Sequence, residues 1–345
     1  MRVTRESLLR IAKETAQERA YNDSDIVAAY LTGSLRGEPM LGGAADIDIV
    51  FVHKTPPMKS REFVKLTPDF HIDISRRAKA EFKAPRELRG DPWLGYEMYD
   101  PILLYEREKF FDFVQASLRA GFEFEQPPLT LQRCRTLLSH GRGNWFDISE
   151  HDGEVGPKEI RKYMKSLFHA VNAIAELSGA PLWERRILYD FPVRAEAAKK
   201  TGMVAAVYGL LGANNIDPDK LKSWLNDWKQ AFQIAAETPA VDMRINLARL
   251  NYYDKAAKAL LDGDTPLSAL WPVLHTWTLS AAMLKGDHLN FWQSAVSELG
   301  LLGDGFTEKV QGLDHFLDEI EIVLEEIATA NGLDPEPGIH HNSLL

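Results

Sequence analysis

The sequence predicts an α+β protein: a small mixed sheet flanked by helices, followed by an all-α helical bundle. Three observations predict it. Short apolar runs of strand length, closed by turn residues, are confined to the first 125 residues. Beyond them, apolar residues recur at spacings of three and four for about two hundred residues. Between the two regimes stands Gln126-Pro127-Pro128, a natural break. The domains are therefore placed at 1–125 and 126–333. The remaining segment, 334–345, carries two Pro and His340-His341 without any period and is expected to be a mobile tail.

The elements follow in order. Residues 7–20 place Leu8, Leu9, Ile11, Ala12 and Ala16 at helical spacing, which predicts an amphipathic helix. Ile26-Val27-Ala28-Ala29-Tyr30-Leu31 is a buried strand ending at Thr32-Gly33-Ser34. A polar loop over 36–44 leads to a second strand at 46–52, whose carboxylates interrupt an apolar run. Further strands are predicted at 70–74 and 102–105, and a helix at 109–120. In the second domain the clearest helix spans 157–177, with Pro157 where a helix tolerates proline and Gly179 where one can stop. Others are predicted at 221–236, 267–284 and 306–330, while 140–151 reads as a loop rich in groups able to deprotonate a hydroxyl, Asp147 among them. Seven of the eight Trp lie beyond residue 126, and their helical spacing assigns them mainly to the core.

Composition excludes several classes. With 45% apolar and 26% charged residues the chain is an ordinary folded one. No apolar stretch reaches the roughly 18 residues of a membrane span, and the N-terminus lacks the hydrophobic segment of a secretion signal. Together with a lone cysteine, Cys134, this leads us to expect a reducing cytoplasm. The net charge is −10, and residues 126–345 carry 21 basic against 29 acidic side chains. Extended contact with a nucleic acid is disfavoured. A field of that sign can attract a cationic small molecule, or simply keep the surface solvated. A monomer or homodimer is expected.

The chemistry concentrates in residues 26–74. Alternate side chains of a strand share a face, so Asp46 and Asp48 point together while Ile47 and Ile49 point into the core. Parallel carboxylates repel unless a cation sits between them, and oxygen-only ligands select a hard ion such as Mg²⁺. That ion prefers one or two carboxylates plus substrate phosphates, so a nucleoside triphosphate is the expected co-ligand. Asp73, between Ile72 and Ile74, repeats the pattern and would permit a second Mg²⁺ if its strand lies beside the first. Asp69 and Glu62 are alternatives for that third acid. Gly33-Ser34 offers peptide N–H groups and a hydroxyl to phosphate, with Arg36 behind them as a cationic clamp.

An apolar residue, Gly33-Ser34, an eleven-residue gap, Asp46-Ile47-Asp48-Ile49 and later Ile72-Asp73-Ile74 together resemble the signature of the DNA polymerase beta-like nucleotidyltransferase superfamily. The motif covers about fifty residues. The resemblance implies that Gly33 and Ser34 contact the triphosphate and that Asp46, Asp48 and Asp73 are the catalytic carboxylates that hold two Mg²⁺ ions. The two-domain plan is similar to that of kanamycin and other antibiotic nucleotidyltransferases. In related transferases a lysine of the helical domain reaches the triphosphate, a role that falls here to Lys165 or Arg161. The loop before Asp46 lacks the Ser that often precedes the acid pair.

The expected activity is Mg²⁺-dependent transfer of a nucleoside monophosphate, AMP from ATP, to a hydroxyl of a small molecule such as an aminoglycoside-like antibiotic, releasing pyrophosphate. Two other readings stand beside it. One is modification of a protein, as in minimal nucleotidyltransferases of toxin–antitoxin type, whose partner ribonucleases carry an Arg-x4-His spacing similar to Arg135…His140 here. The other is a non-catalytic nucleotide-binding protein.

Overall fold

In the computed structural model, which describes residues 4–37, 40–82, 84–122, 126–239 and 241–335, five strands form one sheet. They are β1 (Ile26–Leu31), β2 (Ala45–His53), β3 (Arg61–Lys65), β4 (Phe70–Ala78) and β5 (Ile102–Glu106), in the order β3-β4-β2-β1-β5. Only β2 and β4 run parallel; the other pairs are antiparallel. The β2–β4 register continues without a bulge from Ala45↔Phe70 to His53↔Ala78.

Side-chain alternation sorts the sheet into two faces. Ala29, Leu31, Ile47, Ile49, Phe51, Ile72 and Ile74 pack against α1 (Arg5–Asn22) through Leu8, Ala12, Ala16 and Ala20. Three alanines in that stripe let the helix lie close to the strands. Thr4 and Ser7 start α1 with a reciprocal cap, each side chain accepting from the other's backbone N–H at 3.0 and 3.2 Å. On the opposite face, Val50 and Val52 meet α2 (Leu94–Tyr99) and α3 (Phe110–Arg119) through Met98, Phe111 and Val114. Asp46 and Asp48 occupy this second face toward the other end of β2.

The rest of the described chain is helical. It comprises α4 (Pro127–Ser149), α5 (Pro157–Ala175), α6 (Ile187–Ala197), α7 (Gly202–Leu210), α8 (Pro218–Ala236), α9 (Leu247–Leu261), α10 (Leu270–Ala281), α11 (Asp287–Glu298) and α12 (Asp304–Ala330). One continuous core unites them, with Trp228, Trp271, Trp277 and Trp292 fully buried. The segment 140–151 corrects the sequence reading: it continues α4 as helix to Ser149 rather than forming a loop. Gly141, a sign of a loop in sequence, is instead a packing device. A Cβ there would sit 3.1 Å from Leu317, and Ser166 Oγ of α5 donates to the Gly141 carbonyl at 2.7 Å. No helix among the described residues is long and apolar enough to cross a membrane. The expected tail falls largely on residues 336–345, outside the described residues; Asp334 and Pro335 accept hydrogen bonds from Arg135.

Helix α4 ties the two halves together through Arg133, which is fully buried. Its guanidinium stacks 4.3 Å from the Phe122 ring centroid and donates to the Arg89 carbonyl at 2.6 Å. Glu176 lies 3.7 Å from Arg133, beyond hydrogen-bond reach, and is also fully buried. Burial therefore outweighs the arginine and pushes the Glu176 carboxyl up to about 9. An acid whose folded-state pKa is raised keeps its proton in the folded chain after the unfolded chain has released it. Stability is thus lost as pH rises from the ordinary carboxylate range through about 9. Glu176→Gln removes this loss. Thermal melts from pH 5 to pH 9 should show the melting-temperature advantage of the variant growing with pH; a constant offset would mean that Glu176 is ionised throughout.

Candidate active site

The carboxylates meet because β2 and β4 are parallel and in register. Asp48 lies opposite Asp73, and Asp46 opposite His71. One oxygen from each of Asp46, Asp48 and Asp73 falls within 4.8 Å of the others, with Asp46 and Asp73 buried and Asp48 half-buried. Two unit charges at that spacing repel by about 3–4 kcal/mol at an effective dielectric of about 20. That exceeds what an exposed ion pair is worth, so the cluster needs compensating charge. Burial, Asp46 and Asp73 together drive the Asp48 carboxyl well above the usual range, against Arg249 and Arg61.

Two arginines supply part of the compensation. Arg61 of β3 grips Asp73 with both ends of its fork, Nε to Oδ1 at 2.8 Å and a terminal nitrogen to Oδ2 at 2.5 Å. Arg249 of α9 approaches Asp46 at 3.8 Å, held among the rings of Phe63, Tyr252 and Tyr253 at 5.1–5.5 Å. Its Nε and one terminal nitrogen are buried without a hydrogen-bond partner. Orphaned buried donors of this kind await an acceptor such as a phosphate oxygen.

Gly33 closes the site from above. Its φ of +72° is left-handed, and a Cβ there would collide with the Asp48 carboxylate. The adjoining Thr32 N–H donates to the Asp48 carbonyl at 2.9 Å, locking the turn to β2. Gly33, Ser34 and the three acids line a cavity of about 330 Å³. Its far wall, Arg185, Arg186, Arg244, Arg249, Tyr252 and Tyr253, comes entirely from the helical half. An all-oxygen donor set under mutual repulsion, faced by Arg249 with two unpartnered donors, fits a hard metal cation together with an anionic group.

The sequence-predicted residues divide accordingly. Asp46, Asp48, Asp73, Gly33 and Ser34 are brought together. Arg36 is not among them. Its guanidinium donates to the carbonyls of Asp100 at 2.6 Å and Gly33 at 3.4 Å, bracing the turn that Arg5 also holds through the Leu35 carbonyl at 2.6 Å. Lys165 and Arg161 line a neighbouring cavity instead, where Arg161 pairs with Asp242 at 2.8 Å. Asp147 is there too, bonded to Lys162 at 2.8 Å, and that lysine lowers its pKa below the usual carboxylate range. The alternative third acids are engaged elsewhere, Glu62 with Arg19 and Arg76, Asp69 with Lys255. The cations that face the carboxylates are not among the residues that the sequence motif marks. The Arg185-Arg186 pair and an Arg249 set three residues from Tyr252-Tyr253 were the available signals.

No family model and no curated protein matches the chain. Among solved structures, a nucleotidyltransferase-like protein from Exiguobacterium sibiricum 255-15 aligns over 94% of this chain and 92% of its own, at 12% identity and a TM-score of 0.27. A superposition that loose carries no argument, and the reading below rests on the residues themselves.

Two substitutions probe the site. Gly33→Ala should push Asp48 out of the cluster and abolish Mg²⁺-induced thermal stabilisation. Asp48→Asn should do the same while stabilising the metal-free protein, because it removes the ionisation penalty. The raised Asp48 pKa makes metal-free stability fall as pH rises through it. Melting curves against pH, with and without Mg²⁺, should show that fall in the parent protein and a flatter profile in the variant.

Proposed function

We propose that the protein is a metal-dependent nucleotidyltransferase that transfers a nucleoside monophosphate, AMP from ATP, to a hydroxyl group of a small molecule. The observation that carries the reading is the convergence of Asp46, Asp48 and Asp73 within 4.8 Å opposite the Gly33-Ser34 turn. In the reaction the acceptor oxygen forms a bond to the α-phosphorus as the bond to the bridging oxygen of the β-phosphate breaks. Pyrophosphate leaves and the hydroxyl proton passes to solvent or base.

Asp46, Asp48 and Asp73 would hold Mg²⁺, which supplies neutralisation of the triphosphate and acidification of the acceptor hydroxyl. The chain's own contribution is position and charge. The tight turn lets backbone N–H groups and the Ser34 hydroxyl approach phosphate oxygens. Arg249 offers its two unpartnered nitrogens to the same anion. Arg61 fixes the Asp73 carboxylate in orientation through its two-pronged contact. Glu184 stays ionised: burial raises its pKa, but His275, charged only below about 4, and Arg244 outweigh burial and hold it at about 2. It is therefore a weak base and a permanent negative charge in the cavity wall.

Pyrophosphate release from ATP with Mg²⁺ and a panel of hydroxyl acceptors tests the reading. Asp46→Asn should lower kcat by on the order of a hundredfold or more without changing the melting profile by more than a few degrees. Arg249→Met should raise KM for ATP more than it lowers kcat. Transfer that survives Asp46→Asn would exclude this chemistry.

A further inference from the structure

The cavity next to the carboxylate site has a chemistry of its own. It encloses about 750 Å³ and shares Trp183, Glu184 and Arg244 with the carboxylate cavity, so the two cavities adjoin. One side is aromatic. Trp93 and Phe168 stack with their planes 4° apart at 5.6 Å, Trp183 leans on Trp93 at 5.7 Å, and Trp271 lies 6.1 Å from Phe168. Trp183 is 55% exposed, unusual for the largest apolar side chain unless something stacks on it.

The polar side is cationic. Lys158, Arg161, Lys162, Lys165 and Arg244 line the cavity against Asp147 and Glu184. Asp147 is taken by Lys162, Glu184 by Arg244, and Arg161 by Asp242. Lys158 and Lys165 are left with no salt bridge among the described residues. Three buried polar atoms also lack hydrogen-bond partners: Trp271 Nε1, His169 Nδ1 and His275 Nδ1, each on a residue lining the cavity. Burial depresses both imidazoles to about 4, so they stand neutral. Among the described residues the acids lining this cavity, Asp147 and Glu184, are both paired, which leaves no uncommitted carboxylate there for an amine-rich ligand.

We infer that this cavity is the acceptor site and that it selects a hydroxyl compound built on a planar ring and bearing negative charge, rather than a polycationic aminoglycoside. The inference rests on the transferase reading for the word acceptor, but its ligand class follows from the cavity alone. The ring lies against Trp93, Phe168 and Trp183, and the anionic end meets Lys158 and Lys165.

Tryptophan fluorescence of the full chain, without nucleotide or metal, reads the selection directly. The probes are 4-hydroxyphenylacetate, 4-hydroxyphenyl phosphate, the uncharged 4-(2-hydroxyethyl)phenol, and kanamycin. Either anionic probe should quench the signal, and whichever binds tighter distinguishes carboxylate from phosphate. The uncharged phenol should bind about tenfold more weakly, the equivalent of one charge-assisted contact, and kanamycin should not compete. Lys158→Glu with Lys165→Glu should raise the Kd of the anionic probes by about tenfold or more. Trp183→Phe should reduce the quench. Binding of neither anionic probe, equal affinity for the uncharged phenol, preference for kanamycin, or an unchanged Kd in the double variant would each overturn the inference. Pyrophosphate release with Mg²⁺, ATP and the same compounds separates the two claims. Selective binding without turnover removes the transferase reading and keeps the ligand class, whereas turnover of kanamycin in preference to the acids removes the ligand class and keeps transfer.

Discussion

Repulsion among three clustered carboxylates, two of them buried, is the constraint to which the surrounding structure answers. Asp46, Asp48 and Asp73 share a space too small and too dry for three charges. Arg61 is recruited from β3, the aromatic side chains of α9 and β3 position Arg249, and Asp48 is left with its ionisation opposed. Replacing any of these acids by an amide would relieve that repulsion, so its retention in the fold is accounted for by what the charges can hold and not by what they add to stability.

The site belongs to neither half of the chain alone. The sheet supplies the acids and the Gly33 turn, while the helical half supplies Arg185, Arg186, Arg244 and Arg249. Helix α9 packs over β3 and β4, which is the contact that turns an exposed acidic patch into a walled cavity. Arg133, stacked on Phe122 and bonded to the Arg89 carbonyl, fixes the same two halves at a second point. Two separated attachments hold an interface in one orientation more firmly than either could.

Much of this was legible in the sequence because the physics is local. Strand β1 ends where the apolar run ends, and β2, β4 and β5 contain the predicted strands with a few residues added at their ends. The acids converge because alternation puts Asp46 and Asp48 on one face and an apolar-acid-apolar run puts Asp73 on its neighbour. What stayed hidden is what tertiary contact decides. β3 is short and half-buried, so its apolar signal is faint. Helix α9 buries Arg249 and Asp254, charges that break the periodic stripe by which a helix is recognised. Gly141 and Gly143 made a helix look like a loop. Arg36 and Lys165 have the right charge near the right motif, but only the path of the backbone decides where a guanidinium or an ammonium ends.

The parallel pairing of β2 with β4 carries a last consequence. Side chains alternate along both strands, so a slip of one residue would turn Asp73 and Ser75 toward α1, among Leu8, Ala12 and Ala16, and bring Ile72 and Ile74 to the acids. An unpaired carboxylate in an alanine- and leucine-lined layer is among the worst errors a small sheet can make. The residues that cluster at this site therefore also proofread its assembly: a misaligned strand is rejected by the same charges that a correctly aligned one brings together.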